Sequence, residues 1–430
     1  MIKRIFNPFQ KFAKIESLSG ILLFAATIIA LVWVNSPYGH IYESIWQYKI
    51  GIRFQTFELE KPLILWINDG LMAIFFFLIG LELKREFLIG ELDSIKKATL
   101  PFFAAIGGII VPIVIFLLLN NDPDTTKGWG IPMATDIAFA LAIIKLLGNR
   151  VSTSIKVFLT AFAIIDDIGA VLVIAIFYSS GINWILLIYA FILLFILAVL
   201  SYKKIYLNYL FLFFGIIIWF LFLKSGIHPT IAGVLLAFTI PIRQKIDIST
   251  YLEKLELVVK GLKKRENNNN LLSKKQIEQI EYLEINTRKV RSPLQDLEYK
   301  LHHWVAFLII PLFALSNAGV IIGNDIDFKY FFIFNIAISL FLGKIIGVSL
   351  FTYIGVKLKF TELPSGVNLV QIIGISILAG VGFTMSIFIA NLAFFETPAF
   401  IGSAKIGILI GSIISGILGY IVIRWTSKIK

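Results

Sequence analysis

The chain contains no cysteine. Disulfides and thiolate metal sites are both excluded, and no redox compartment can be read from it. Charge is scarce as well: 15% of the 430 residues are Asp, Glu, Lys or Arg, against 58% hydrophobic, and the mean hydropathy is +0.87. A soluble domain cannot be built on those proportions, because uncharged stretches long enough to cross a bilayer recur from end to end. A removable leader is not expected either. "MIKRIFNPFQKFAK" is basic, but the apolar stretch after it continues through Trp33 without a small-residue cleavage site, which predicts a retained first helix. The net charge of +12 does not point to nucleic acid, since the basic residues fall in loops and tails between apolar spans, where the membrane surface explains them.

What is present is a single all-α polytopic membrane domain over residues 1–430. A crossing helix needs about 20 mostly apolar residues. On that basis about twelve spans are expected, near 16–35, 63–83, 98–119, 129–147, 155–178, 183–200, 205–223, 227–243, 302–321, 330–353, 369–394 and 404–424. Lys and Arg orient them. With a cytoplasmic N-terminus, the inside segments hold Lys3, Arg4, Lys11, Lys14, Lys84, Arg85, Lys96, Lys97, Arg150, Lys203, Lys204, Lys357, Lys359, Arg424, Lys428 and Lys430. The outside holds chiefly Lys49, Arg53, Lys61, Lys127 and Lys329, so both termini are expected in the cytoplasm.

Two extramembrane pieces interrupt the pattern. In residues 40–62, "WQYKIGIRF" alternates Trp46, Tyr48, Ile50, Ile52 and Phe54, with Gly51 where a turn could form, and predicts an extracytoplasmic β-hairpin. Residues 244–297 are rich in Lys, Glu and Asn and predict a cytoplasmic insertion of two amphipathic helices broken at "NNNN". "SPLQ" after them reads as an N-cap at Ser292, Pro at the first helical position and a capping Gln.

Four ionisable residues lie inside spans: Asp136, Asp166, Asp167 and Lys344. Each costs about 2.5–3.5 kcal/mol at the centre of a membrane helix, which makes it a functional candidate. Asp166 and Asp167 are neighbours near mid-depth. Adjacent helical positions are about 100° apart, so one carboxylate can face a cavity while the other faces a partner. Two acids in one dry site resist ionising together, so the pair is expected to exchange protons. A purely structural salt bridge is the competing reading, but one lysine cannot neutralise three aspartates. Lys344 is either a counter-charge or a proton carrier itself.

Two spans carry breaks. Pro132 and the Thr135–Asp136 pair interrupt "GWGIPMATDIAFALAIIKLL", with Asp136 as N-cap of a half-helix; Gly380 and Gly382 precede Thr384 and Ser386 in "ISILAGVGFTMSIFIANLAF". Close helix packing is the plainer explanation of the glycines. Broken helices at membrane depth are tolerated where they line a cavity or are buried in protein, and paired breaks point to an ion site in secondary transporters.

With "GIPMATDIAFAL", "LTAFAIIDDIGAV", "LKSGIHPTIAGV", "NDGLMAIFFFLIGLELKRE" and "GVGFTMSIFIANLAF" in this order, the chain resembles the NhaA-type sodium/proton antiporters of bacterial inner membranes, from about residue 16 to 425 except for 244–291. The resemblance implies a non-enzymatic transporter without a cofactor that moves Na⁺, Li⁺ and H⁺. Its fold has spans three to five and ten to twelve as inverted repeats, whose broken members cross near mid-membrane. It implies Asp167 as cation ligand, Asp166 paired with Lys344, and Asp136 at the crossing with Lys344, beside Thr135. Glu82, Glu86, Glu298 and His302 match positions tied to pH response, and the hairpin implies a homodimer. Tyr299 and His303 stand where many relatives carry His and Pro, and the insertion is longer than usual; both bear on the pH set-point. A prenyltransferase, which needs spaced aspartates near the interface for Mg²⁺ and diphosphate, fits less well. An intramembrane aspartyl protease lacks its second Asp, and a channel has little use for buried titratable groups.

Overall fold

The computed structural model describes residues 8–427 other than 55–56, 91, 180, 204, 244–246, 264–272, 291, 324–327 and 365. The hairpin turn, the "NNNN" break, Lys3, Arg4, Lys428 and Lys430 lie outside the described residues. Helix α1 (Pro8–Val34) leads to α2 (Gly39–Gln47), bent away by 113°. Strands β1 (Lys49–Phe54) and β2 (Phe57–Pro62) follow, then α3 (Leu63–Ile89) and α4 (Ile95–Leu119). The first broken span joins a 3₁₀ segment, Pro123–Met133, to α5 (Ile137–Leu146) at 47°. Next come α6 (Thr153–Phe177), α7 (Trp184–Tyr202), α8 (Asn208–Ser225) and α9 (Thr230–Thr239). The insertion forms α10 (Ile248–Lys263) and α11 (Lys274–Val290). Beyond it lie α12 (Pro293–Asn317) and α13 (Tyr330–Lys357). The second broken span is α14 (Leu369–Ala379) plus α15 (Phe383–Ala393), bent by 44°, and α16 (Ala399–Thr426) ends the fold.

Among the described residues, seven helices are long and apolar enough to cross a membrane unaided. With α1, the two broken pairs and the shorter α8 and α9, they account for the twelve segments read from hydropathy. Their lipid-facing sides are apolar, and exposed Trp184 and Tyr202 bracket α7 as interfacial aromatics do.

Four expectations need correction. The strand starts at Lys49, because Trp46 belongs to α2 and is buried; the two patterns coincide over so short a stretch. Gly51 is not the turn. It sits inside β1 opposite Glu60, where the facing strand comes too close for a side chain. The ninth span begins at Pro293 rather than 302, because the polar first turns of α12 continue the helix without interruption. Ser292 does cap it, accepting from the Gln295 N–H at 3.1 Å. Also, α9 has ten residues, about 15 Å of helix, and cannot cross alone.

The insertion forms a helical hairpin. Its helices run antiparallel, joined by Tyr251–Thr287 (2.8 Å) and Lys254–Asn286 (3.4 Å) side-chain contacts, with Val258 and Asn286 buried between them. The Leu294 N–H donates to the Pro241 carbonyl at 3.3 Å, so the chain re-enters the bundle next to where it left.

Helices α4 and α13, which lead the two predicted repeats, form the most extensive helix pair of the described structure. Gly107 and Gly347 make this possible: a Cβ on either would strike the other's carbonyl oxygen. Small residues let membrane helices approach closely where no hydrophobic force drives them together. Gly347→Ala is therefore expected to destabilise the fold by about 1–3 kcal/mol, since the obstructing atom is backbone. Gly402→Ala, where the new Cβ meets only Phe328 at 3.9 Å, should be neutral. Thermal unfolding in detergent compares the two. Removal of residues 247–290 should also leave the unfolding temperature within a few degrees of the full chain, because Pro241 and Leu294 already hold the rejoined ends together. A large loss of stability on this deletion counts against a self-contained insertion.

Candidate functional site

The crossing of the broken spans is built from hydrogen bonds that each break leaves unsatisfied. Pro132 brings no N–H, and Asp136, in extended conformation, caps α5 by accepting from the Phe139 N–H at 3.0 Å. Its other carboxylate oxygen accepts from the Thr384 N–H at 3.0 Å and from the Thr384 hydroxyl at 2.5 Å, at the start of α15. One carboxylate therefore caps two half-helices, and both positive helix ends point at it. The breaks interlock further. Asp136 N–H donates to Val381 O at 2.6 Å, Thr135 Oγ1 to Ala379 O at 2.9 Å, and Ser386 Oγ to Ile131 O at 2.9 Å. Gly382 is needed for closeness, not for a special backbone angle: a Cβ there would meet Ser386, Leu340 and the Ala134 carbonyl. The break and the close-packing readings of these glycines are both correct.

Helix α6 passes beside the crossing with both aspartates buried. Asp166 takes both its oxygens to Lys344 Nζ, at 2.9 and 2.8 Å, and the backbone and side chain of Thr135 lie beside it. Lys344 comes from the middle of α13, is completely buried, and has the Phe162 ring 5.8 Å from its Nζ. Lys344 thus binds Asp166 rather than Asp136. Of the division that the 100° step allows, the structure shows one half, Asp166 facing a protein partner; Asp167 turns elsewhere, and its buried Oδ1 has no hydrogen-bond partner. Its charged neighbours are Asp166, Asp136, Glu82 and Lys344.

The three carboxylates differ chemically as a result. Asp136 is saturated by helix ends, Asp166 by an ammonium group, and Asp167 is left with a hard oxygen free to take a proton or a small cation. Asp167 is the residue that could hold Na⁺, as cargo and not as a resident metal.

The residues singled out for pH response also come together, at the insertion end of α3 and α12. Arg85 lies 2.9 Å from Glu86 Oε1 and 3.0 Å from Glu298 Oε1, and His302 Nδ1 is 3.8 Å from Glu82 Oε1. Tyr299 is exposed, and the His303 ring packs on Phe307. Glu82 also acts electrostatically on Asp167, so its charge is felt by both this cluster and the aspartate pair.

Sequence reasoning passed over Arg85 and Asp69, and named Thr384 without its partner. Arg85 ties the acidic cluster together, and Thr384 supplies two of the bonds to Asp136. At the hairpin end, Asp69 pairs with Lys61 at 2.7 Å and lies 3.6 Å from His228 Nε2. Asp69 is an acid within an apolar run, the same signal that exposed Asp136, and could have been found by it.

Comparison with known proteins identifies the family. The model of the family described as Na⁺/H⁺ antiporter 1 matches residues 10–423. A protein of Oleidesulfovibrio alaskensis named Na(+)/H(+) antiporter NhaA is 46% identical over 98% of this chain and 95% of its own length. A protein of the same name from Bacteroides fragilis is 43% identical over 98% of both. One from Koribacter versatilis is 45% identical over 98% of this chain and 92% of its own. With relatives this similar along almost the whole sequence, and a family match spanning both broken helices and the aspartate pair, the chain belongs to the Na⁺/H⁺ antiporter family.

Proposed function

We propose that this protein is a secondary transporter that exchanges Na⁺ or Li⁺ for H⁺, with Asp166 and Asp167 as the exchanging groups. It is no enzyme, and its chemistry needs only the transported ions. The observation that carries the reading is the unpartnered carboxylate oxygen of Asp167 beside two carboxylates that are fully engaged. Na⁺ and H⁺ compete for that oxygen. With the site open to the cytoplasm, Na⁺ displaces protons, a repeat rocks, and Na⁺ leaves outside as protons return. Lys344 either keeps Asp166 ionised or carries a proton itself when the pair separates. Asp136 and Thr135 keep the crossing intact throughout.

The lysine and arginine distribution supports a bacterial inner-membrane orientation with both termini cytoplasmic and the hairpin outside. The acidic cluster of Glu82, Glu86, Glu298 and His302 then lies at the cytoplasmic mouth, where it senses pH and, through Glu82, biases Asp167. The hairpin offers the edges of a two-stranded sheet, which suits pairing with a second copy in a homodimer. The insertion, with its ends joined away from the site, plays no part in the exchange.

Na⁺-dependent collapse of a proton gradient in inverted vesicles, scanned over cation and pH, tests the proposal directly. A response to K⁺ alone instead favours a different cation/proton carrier. Asp167→Asn, which keeps size and removes charge, is expected to reduce exchange to the level of vesicles lacking the protein. Normal Na⁺/H⁺ exchange by a correctly inserted Asp167→Asn variant would falsify the assignment.

Two protons for each Na⁺ also follow from a site with two acids, or with one acid and a lysine. One net charge then enters per cycle, and a membrane potential contributes about 2.3 kcal/mol per charge per 100 mV. In liposomes clamped with K⁺ and valinomycin, after K⁺ itself is shown not to be carried, the Na⁺ gradient at which net flux vanishes should shift with the imposed potential. A null point that stays fixed means one-for-one exchange.

A further inference from the structure

A second set of buried polar groups has no place in the exchange site. Asn68 of α3, Asn317 in the last turn of α12 and Asn391 of α15 meet at the hairpin end of the bundle. Asn68 and Asn317 donate to each other, Nδ2 to Oδ1, at 3.1 and 2.9 Å, and the Asn317 amide also reaches Phe313 O at 3.0 Å and Ser316 Oγ at 2.8 Å. Asn391 adds one bond, from Nδ2 to Asn317 Oδ1 at 2.7 Å. The set is asymmetric. Reciprocal bonds join α3 to α12, neither of which belongs to a predicted repeat, and a single bond crosses to α15, which does.

What lies between this set and the crossing gives the asymmetry a meaning. Thr384, Phe388 and Asn391 are spaced i, i+4 and i+7 and so share one face of α15. Thr384 binds Asp136 at the crossing. One turn on, the Phe388 ring centre is 5.8 Å from Phe76 of α3, 6.1 Å from Phe313 of α12 and 5.2 Å from the His228 ring. Phe388, Phe76 and Phe313 are all buried. An aromatic plug therefore sits directly on the site's hairpin side, and the amides lie beyond it. Both partner helices also carry a π-helical turn, Trp66–Leu71 around Asn68 and Val305–Ile309 one turn before Phe313, a local distortion frequent at functional positions.

We propose that Phe388 and Asn391 are the plug and latch of the hairpin-side gate: an ion leaves the exchange site toward the hairpin only when α15 parts from α12 and α3, while Asn68 and Asn317 stay paired. This rests on the antiport reading and adds where the bundle opens. A single neutral hydrogen bond suits a contact broken every cycle, whereas the doubly bonded pair suits a fixed wall. Simple helix-to-helix adhesion makes a different prediction, because it gives both contacts the same part in the cycle.

The chain has no cysteine of its own, so pairs of introduced thiols can be linked without background. In proteoliposomes, the double variant Asn317→Cys/Asn391→Cys, joined by a short bis-thiosulfonate, should lose Na⁺/H⁺ exchange and regain it on reduction. Asn68→Cys/Asn317→Cys joined in the same way should keep exchanging. Continued exchange by the linked 317/391 protein, or arrest of the linked 68/317 protein, overturns the gate. The unmodified chain is assayed in parallel, and if it fails to exchange Na⁺ for H⁺, the antiport reading fails and not the gate alone. Should the double variants be inactive even when reduced, accessibility decides. Asn391→Ala should raise labelling of Met72→Cys, one turn inward from Asn68, by a hairpin-side impermeant maleimide about fivefold, the population shift expected for one lost hydrogen bond. An unchanged labelling rate refutes the latch.

Discussion

The bidentate pair between Lys344 and Asp166 is the interaction on which the rest of the site depends. Either charge alone in that dry interior is prohibitive, and removing one partner of such a pair costs about 3–5 kcal/mol because the other is stranded. The pair forms only because α4 and α13 approach through Gly107 and Gly347, which places Lys344 Nζ at the level of α6. Gly108 lies in the same contact: a Cβ there would crowd Val348 Cγ2 at 3.1 Å and would touch Lys344 Nζ at an ordinary contact distance of 3.5 Å. With Asp166 held in this way, its neighbour on the helix is turned out of reach of the lysine. The reactive character of Asp167 is thus set by a contact it does not make.

Asp136 solves a different problem with the same side chain. Each broken span leaves amide groups without helical partners, and at membrane depth no bulk water satisfies them. Asp136 takes up three such donors, two N–H groups and one hydroxyl, from both halves of the crossing. Its charge is balanced by helix ends instead of a lysine. The three aspartates are chemically equivalent in the sequence and become distinct only through what surrounds them.

Much of this was legible because charge in an apolar run is conspicuous. Asp136, Asp166, Asp167 and Lys344 stand out against the cost of placing them there, and the helical angle between adjacent residues already separates the roles of Asp166 and Asp167. The breaks announced themselves through Pro132 and the Gly380–Gly382 pair. Other features left a fainter trace. The Asn68, Asn317 and Asn391 amides are uncharged, and Asn68 and Asn317 are 249 positions apart. The start of α12 was hidden because Asp296, Glu298 and Lys300 exclude its first turns from any apolar window, although those turns are helix. Helix α9 was overestimated because the apolar run containing it also includes a sharp reversal: Gly226, at φ 85°, closes α8 in the left-handed conformation, and His228–Pro229 open the next helix.

The single hydrogen bond that brings Leu294 back to Pro241 has a consequence for how such a chain can vary. Because the loop is closed at its root, adding or removing residues beyond that point changes only the entropy of an already closed ring, which grows slowly with length. The bundle registers the presence of the bond and not the size of what hangs from it. Positions 247–290 therefore act as a socket, where a lineage can graft a longer or shorter appendage, or a laboratory a fluorescent domain, without disturbing the packing that holds the aspartates.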